Sequence, residues 1–249
     1  MWIVRTLLVF LALASPALAQ DGPRDAGAAR DAAQAFRVYV EGVAKKGGRP
    51  DLTRPEVAGL LHRVFDLDAL AALPPAQAND LPWLLEWEKS ANSTNKLIIL
   101  FGSKPGAEPD WTAIQRNMTE YEDEYAAALN FLIRFQARQA ISAELFMASL
   151  APEDRTPVRE KGLAGVRSSS AEMILSAICA VVMRDDGKPA NARLVAAAIR
   201  DTRDVWASFF LPQDRARVVK VLAALPKPVA DETARTDIAA FAAALAVVN

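Results

Sequence analysis

Residues 111–150 read WTAIQRNMTEYEDEYAAALNFLIRFQARQAISAELFMASL and contain no glycine and no proline. As a single helix this stretch would extend about 60 Å, at 1.5 Å per residue. Apolar residues recur along it at alternating spacings of four and three, which is the periodicity of one helix face. Leu129 and Ile133 widen that face, so other elements must cover the middle of the helix on two sides. The stretch therefore predicts one long central helix, from about 111 to 150.

Glycine and proline divide the rest of the chain at helix-length intervals. Gly47-Gly48 ends a first amphipathic helix, and residues 190–210 predict a single further helix. Thr53-Arg54-Pro55-Glu56 predicts a helix start at which the Thr53 hydroxyl and the Glu56 carboxylate form a capping box. No alternating strand pattern and no fixed repeat occurs in the sequence. We therefore predict an all-α, irregular multi-helix bundle.

Composition and charge exclude several classes of function. Of the 249 residues, 52% are apolar, which supports a folded core. The 29 basic and 30 acidic residues nearly balance, so a nucleic-acid-binding surface is not expected. The single cysteine and the single histidine cannot build a Cys/His zinc site, a disulfide or a haem attachment. We expect no cofactor.

The N-terminal residues have the layout of a secretory signal peptide. A basic Arg5 precedes the apolar run 6–14, and Ala17-Leu18-Ala19 places small residues before a cleavage point. The apolar run is shorter than the roughly 20 residues that span a bilayer, although an uncleaved anchor remains the alternative. We predict a signal peptide over 1–19 and a soluble periplasmic or secreted protein without a stable membrane anchor after cleavage. Residues 20–249 would form a single helical domain, or include a smaller N-terminal subdomain over 20–101.

The densest acidic cluster lies within the predicted central helix. Glu120, Asp123 and Glu124 share one face by their i, i+3 and i+4 spacing, and such a trio could bind a divalent cation. A ferritin-like di-iron site needs two Glu-x-x-His pairs, however, and the one histidine does not have that spacing. We therefore expect a solvated helix face and no metal, with these three carboxylates as the candidate ligands if a metal binds.

Three tryptophans are candidates for ligand binding. Trp83 and Trp87 lie one helical turn apart, and Trp111 follows the next loop. Together they could line a groove for an apolar or aromatic ligand. The alternative is that they anchor the core, because aromatic residues at helical spacing usually face the interior.

Other residues with chemical potential lack a partner motif. His62 lies in an amphipathic helix with no nucleophile or acid assigned beside it. The apolar run Met173–Met183 predicts a helix at the bundle centre, with the Cys179 thiol buried in it. Glu172 and Arg184 bracket this run, and Glu172 paired with an arginine of another helix is a candidate for a perturbed group. Such buried pairs are at least as often structural.

The sequence contains no G-x-S-x-G elbow and no phosphate-binding glycine loop, and Ser168-Ser169-Ser170 has no lysine at the S-x-x-K offset, so a serine nucleophile has no support there. The leading hypothesis is thus an exported helical-bundle protein that binds a partner protein or an apolar ligand without covalent chemistry. The first alternative is a carboxylate-dependent envelope enzyme that uses Glu120, Glu124 and His62. The second alternative is a structural spacer.

Overall fold

The computed structural model describes residues 24–103 and 110–247, and the predicted signal peptide lies outside these ranges. Of the described residues, 80% are helical and none forms a strand. The prediction of an all-α multi-helix fold is therefore confirmed.

The described residues form a succession of α-helices joined by short turns. A π-helix, Ile178–Val182, continues the seventh helix, and 3-10 turns occur at Ala78–Asp80 and Pro152–Asp154. The α-helices are α1 Arg24–Lys45, α2 Pro55–Val64, α3 Leu67–Ala72, α4 Leu81–Ile99, α5 Trp111–Glu120, α6 Glu122–Ser149, α7 Pro157–Ala177, α8 Pro189–Asp201, α9 Arg203–Phe209, α10 Pro212–Ala223 and α11 Glu232–Val247.

The predicted long helix over 111–150 is interrupted, and this part of the prediction is wrong. Tyr121 leaves helical geometry, with φ −110° and ψ 35°, and separates α5 from α6. Its side chain is buried, and its hydroxyl donates to the carbonyl of Pro50 at 3.0 Å. The nearby Asn117 amide donates to the carbonyls of Ile99 and Phe101, each at 2.8 Å. The Asn117 bonds connect α5 to the end of α4, and the Tyr121 bond connects the α5–α6 junction to Pro50.

Two other local predictions are also corrected. Thr53 does not cap α2: Arg54 occupies the N-cap position, and the Thr53 hydroxyl donates instead to Asp51 at 2.7 Å. The predicted helix over 190–210 is divided at Thr202, whose hydroxyl bonds back to the carbonyl of Ala198 at 2.7 Å. Bonding of this kind often bends a helix.

Helix α6 contributes residues to two apolar cores. The N-terminal core lies among α1, α2, α3 and α4, and the C-terminal core lies among α7 and the helices that follow it. The prediction that the middle of the central stretch is covered on two sides is confirmed. To the N-terminal core α6 contributes Ala128, Phe131, Leu132 and Phe135, and to the C-terminal core it contributes Tyr125, Ala126, Leu129, Ile133, Ala137, Ala140 and Ala143.

The apolar run near residue 178 lies partly at the surface. Within the described ranges, Pro157–Val182 is the one helix long and apolar enough to cross a membrane by length and composition. Half of its most apolar window is buried against the rest of the chain. Cys179 is exposed, so the prediction of a buried thiol is wrong.

Candidate functional site

The acidic residues at the junction of α5 and α6 point to different partners. Glu120 accepts from the Nε of Arg49 at 3.0 Å, and this bond holds the pKa of Glu120 below its usual value. Asp123 accepts from the Nζ of Lys188 at 2.7 Å and from the Nδ2 of Asn191 at 2.8 Å, which lowers its pKa. Glu120 and Asp123 are thus held by residues of different parts of the chain, and neither is free to share a cation with the other. In the described part of the chain, no three His, Cys, Asp or Glu side chains are grouped to hold a metal.

Glu122 has a structural role that the sequence pattern did not indicate. Its side chain is buried, and its Oε1 accepts the backbone N–H of Lys188 at 2.7 Å. Gly187 lies beside it, where a Cβ would stand 3.1 Å from the Cβ of Arg184. Glu122 therefore anchors the turn that precedes α8. Its position within a charged run gave no sign of burial.

Glu124 lines a pocket bounded by α2, α3 and α6. The cavity measures about 470 Å³, and its walls are mainly apolar. We name it the Glu124 pocket, and its lining residues are Leu52, Thr53, Ala58, Leu61, His62, Phe65, Leu67, Asp68, Glu124 and Ala127. Two of the three residues proposed for the enzyme alternative, Glu124 and His62, thus lie in one cavity, whereas Glu120 does not line it.

The Glu124 carboxylate is half-buried and has no ion-pair partner among the described residues. Burial raises the pKa of Glu124, and the nearby Asp123 charge raises it further, although a bond to its own backbone opposes the shift. The charge of Lys188 also lowers the pKa of Glu124, but Lys188 is itself paired with Asp123. A half-buried carboxylate without a cation is available to a ligand.

Glu88 is a buried carboxylate of the same protein whose oxygens accept hydrogen bonds from other side chains. Its side chain is buried between α4 and α6, and burial raises its pKa. Three side-chain amides donate to it: Gln139 at 3.1 Å, and Asn92 and Gln136 at 3.3 Å each. These bonds oppose the effect of burial on the pKa of Glu88. Among the described residues no other side chain donates to Glu124, and its half-exposed carboxylate bonds only to its own backbone.

The remaining polar groups of the pocket set its charge. The side chains of His62 and Asp68 are both exposed, and neither side chain makes a hydrogen bond within the described ranges. The Thr53 hydroxyl is occupied by Asp51. The lining holds two carboxylates and neither lysine nor arginine. The cavity is therefore apolar in its walls and acidic in its charged groups.

The three candidate tryptophans do not form a single groove, which corrects the sequence-based prediction. Trp87 is fully buried, donates its Nε1 to the carbonyl of Val64 at 2.9 Å, and packs against both Phe131 and Phe135. Trp83 is partly buried against the same N-terminal core. Trp111 is 64% exposed at the start of α5. Core anchoring therefore describes Trp87, whereas Trp111 lines a surface groove.

The predicted ion pair of Glu172 is present. Glu172 pairs with Arg217 of α10, and its side chain remains 27% exposed. Arg184 is held by Asp186 and also donates to the carbonyl of Met118 at 3.0 Å. The Glu172–Arg217 pair joins α7 to α10, and the Arg184 bond joins the end of the π-helix to α5.

The chain matches no known family model, no curated protein and no solved structure.

Proposed function

We propose that this protein binds, without transforming it, a small molecule with an apolar body and an ammonium group, and that the Glu124 pocket is the binding site. One observation carries the proposal: the half-buried Glu124 carboxylate faces an apolar cavity and lacks a cation of its own among the described residues. This proposal adds a site and a charge preference to the sequence-based hypothesis of a protein that binds an apolar ligand.

The size and charge of the cavity support this ligand class. Pockets of about 300–1,000 Å³ accommodate small molecules, and a few polar groups in an apolar wall orient them. The Glu124 cavity, at about 470 Å³, falls in that range. An ammonium group would restore the partner that Glu124 lacks, and charge-assisted hydrogen bonds are the stronger kind. A ligand carboxylate would instead face Asp68 and Glu124 at close range.

Three matched probes test the proposal by calorimetry on the purified chain: 4-phenylbutylamine, 4-phenylbutanol and 4-phenylbutyrate. We expect the amine to bind about tenfold or more tightly than the alcohol, since a charged hydrogen bond contributes about 1.5–3 kcal/mol. Glu124→Gln removes that preference, whereas the control Glu153→Gln, at an exposed carboxylate outside the pocket, keeps it. Equal binding of amine and alcohol, or an amine preference that survives Glu124→Gln, contradicts the proposal.

The same experiment separates binding from catalysis. A carboxylate-dependent enzyme would use Glu124 and His62, which share the pocket. After prolonged incubation the binding proposal expects each probe at its original mass. A new product that disappears in both Glu124→Gln and His62→Ala would instead favour the enzyme.

We also propose that the protein is exported to the periplasm or secreted, on the strength of residues 1–19 alone. The mature chain is then expected to begin at Gln20, and Ala19→Arg is expected to block processing because the cleavage site requires a small residue. Intact-mass measurement of protein expressed in a bacterium with a secretory pathway checks this. Retention of Met1 in the exported protein contradicts it.

A further inference from the structure

A second cavity, independent of the Glu124 pocket, lies between α5 and the end of the π-helix. It measures about 790 Å³ and opens to solvent beside Trp111. We name it the Trp111 groove, and its lining residues are Trp111, Thr112, Ile114, Gln115, Arg116, Met118, Thr119, Cys179, Ala180, Met183, Arg184, Asp185 and Asp186. None of them belongs to the Glu124 pocket.

The apolar part of the groove suits a flexible chain. Ile114 is buried, Met118 and Met183 are partly buried, and the Trp111 ring is largely exposed at the edge. Methionine side chains are unbranched and polarisable, so they adapt to irregular apolar partners. An exposed tryptophan beside two methionines offers an apolar contact surface that nothing in the described ranges covers.

Ion pairs within the chain neutralise most of the charged lining. Asp186 is paired with Arg184 at 2.9 Å, and Asp185 is paired with Lys227. Arg184 also donates to the Thr119 hydroxyl at 2.9 Å, which fixes the groove wall. Arg116 is exposed and makes no side-chain hydrogen bond or close ion pair within the described ranges; its charge acts on Glu120, whose carboxylate is bound by Arg49. The groove therefore presents one guanidinium with free N–H donors beside an apolar surface.

The π-helix shapes the opposite wall. The N–H of Met183 bonds to the carbonyl of Ile178 at 2.9 Å, five residues earlier, in place of the usual four. A π-turn adds a residue to the helix and redirects the side chains that follow, and such turns are frequent at functional sites. Here the turn contains Cys179 and Ala180, which both line the groove.

We propose that the Trp111 groove binds a free, linear carboxylate amphiphile. The alkyl chain packs on Met118, Met183 and Trp111, and the carboxylate pairs with Arg116. Trp111 and Arg116 both line the groove. They are about 7.5 Å apart along the axis of α5 and about 140° apart around it, so a flexible chain that bends around the helix reaches both. The charge complementarity favours this occupant over a neutral or cationic chain. The charged groups of the Glu124 pocket are carboxylates, so the two sites select ligands of opposite charge.

Octanoate and octanol, used below their aggregation concentrations, test the proposal with two independent reporters. Cys179 is the single cysteine of the chain, so its rate of alkylation by iodoacetamide reports occupancy of the groove. Fluorescence of Trp111, identified by subtraction of the Trp111→Phe spectrum, is the second reporter. We expect octanoate to slow alkylation, to shift the fluorescence, and to bind about tenfold more tightly than octanol.

Charge reversal at Arg116 is the decisive variant. Arg116→Glu is expected to weaken octanoate binding by tenfold or more while leaving octanol binding unchanged. The control Arg37→Glu, at an exposed arginine of α1 outside the groove, is expected to change neither. The proposal is overturned if octanoate affects neither reporter, or if Arg116→Glu binds octanoate as the unmodified chain does. It is also overturned if phosphatidylglycerol vesicles, and not octanoate, protect Cys179.

Discussion

At the scale of single residues, the protonation of Glu124 links the proposed binding to pH. Burial raises the folded-state pKa of Glu124 above its unfolded value of about 4.3. The folded protein therefore favours the protonated side chain. This contribution to stability is fully present below the unfolded pKa, and it is lost as pH rises through the folded pKa. An ammonium ligand favours the ionised form, so its affinity is expected to fall as pH decreases through the folded pKa.

Glu124→Gln is expected to stabilise the ligand-free protein at neutral pH, because the variant has no charge to desolvate. The gain is below about 1 kcal/mol, since half of the side chain stays in water. It disappears at about pH 3, roughly a unit below the unfolded pKa, where the carboxyl is protonated in both states. Urea unfolding at the two pH values measures this, with Glu153→Gln as the control. A loss of stability at neutral pH would show that Glu124 already has a favourable partner.

At the scale of elements, the junction of α5 and α6 is set by long-range hydrogen bonds. Asn117 is fully buried, and besides its two carbonyl partners it accepts from the Nη2 of Arg49 at 2.8 Å. Arg49 also lies 5.6 Å from the ring centres of Phe101 and Tyr121. Each of these bonds joins α5 to residues distant in the chain. Without them, a run free of glycine and proline would favour one unbroken helix.

The interior of α6 does not tolerate proline. Ala128 lies in mid-helix and is fully buried, so Ala128→Pro loses a backbone hydrogen bond and clashes with the preceding turn. We expect a loss of about 3 kcal/mol or more in the free energy of unfolding. Glu232→Pro, at the first position of α11, is the control and is expected to cost less than about 1 kcal/mol. Thermal unfolding followed by circular dichroism compares them, and equal melting temperatures would contradict the prediction.

At the scale of the whole molecule, the two cores are coupled because α6 belongs to both. Phe135 faces the N-terminal core and Ile133 faces the C-terminal core, and both are fully buried. The N-terminal core therefore depends on residues beyond 101. A folded N-terminal half without α6 would leave the phenylalanine and tryptophan rings of this core uncovered.

Truncation of either side chain is expected to weaken the whole fold. Ile133→Ala should cost about 2–5 kcal/mol and Phe135→Ala about 3–5 kcal/mol. Each variant should still unfold in one transition, with the same midpoint by tryptophan fluorescence and by circular dichroism. Trp87 and Trp206 report on the N-terminal and C-terminal cores respectively. Two separate transitions would instead indicate an independent N-terminal subdomain.

Local chemistry explains which details of the fold were predictable. Asp66, Asp110 and Thr156 each cap a helix by accepting a backbone N–H three positions later, whereas Thr53 fails to cap α2 because its hydroxyl donates to Asp51. The break at Tyr121 and the burial of Glu122 depend on residues far away in the chain. For the site, the sequence named Glu124 and His62 among the three residues of the enzyme alternative without any sign of how they are placed. Their presence in one cavity requires the packing of α2 against α6.

The sequence by itself determined the helical class, the outer ends of the predicted helices and the two-sided burial of the central stretch, because these follow from periodicity and from the backbone limits of glycine and proline. The tertiary structure alone decided which charged groups are paired and which are left unpaired. Glu120, Asp123 and Glu124 have similar intrinsic chemistry and lie within five residues. Their different roles arise because Arg49 and Lys188 come within hydrogen-bonding distance of the first two. Glu124 lacks such a partner in the described part of the fold.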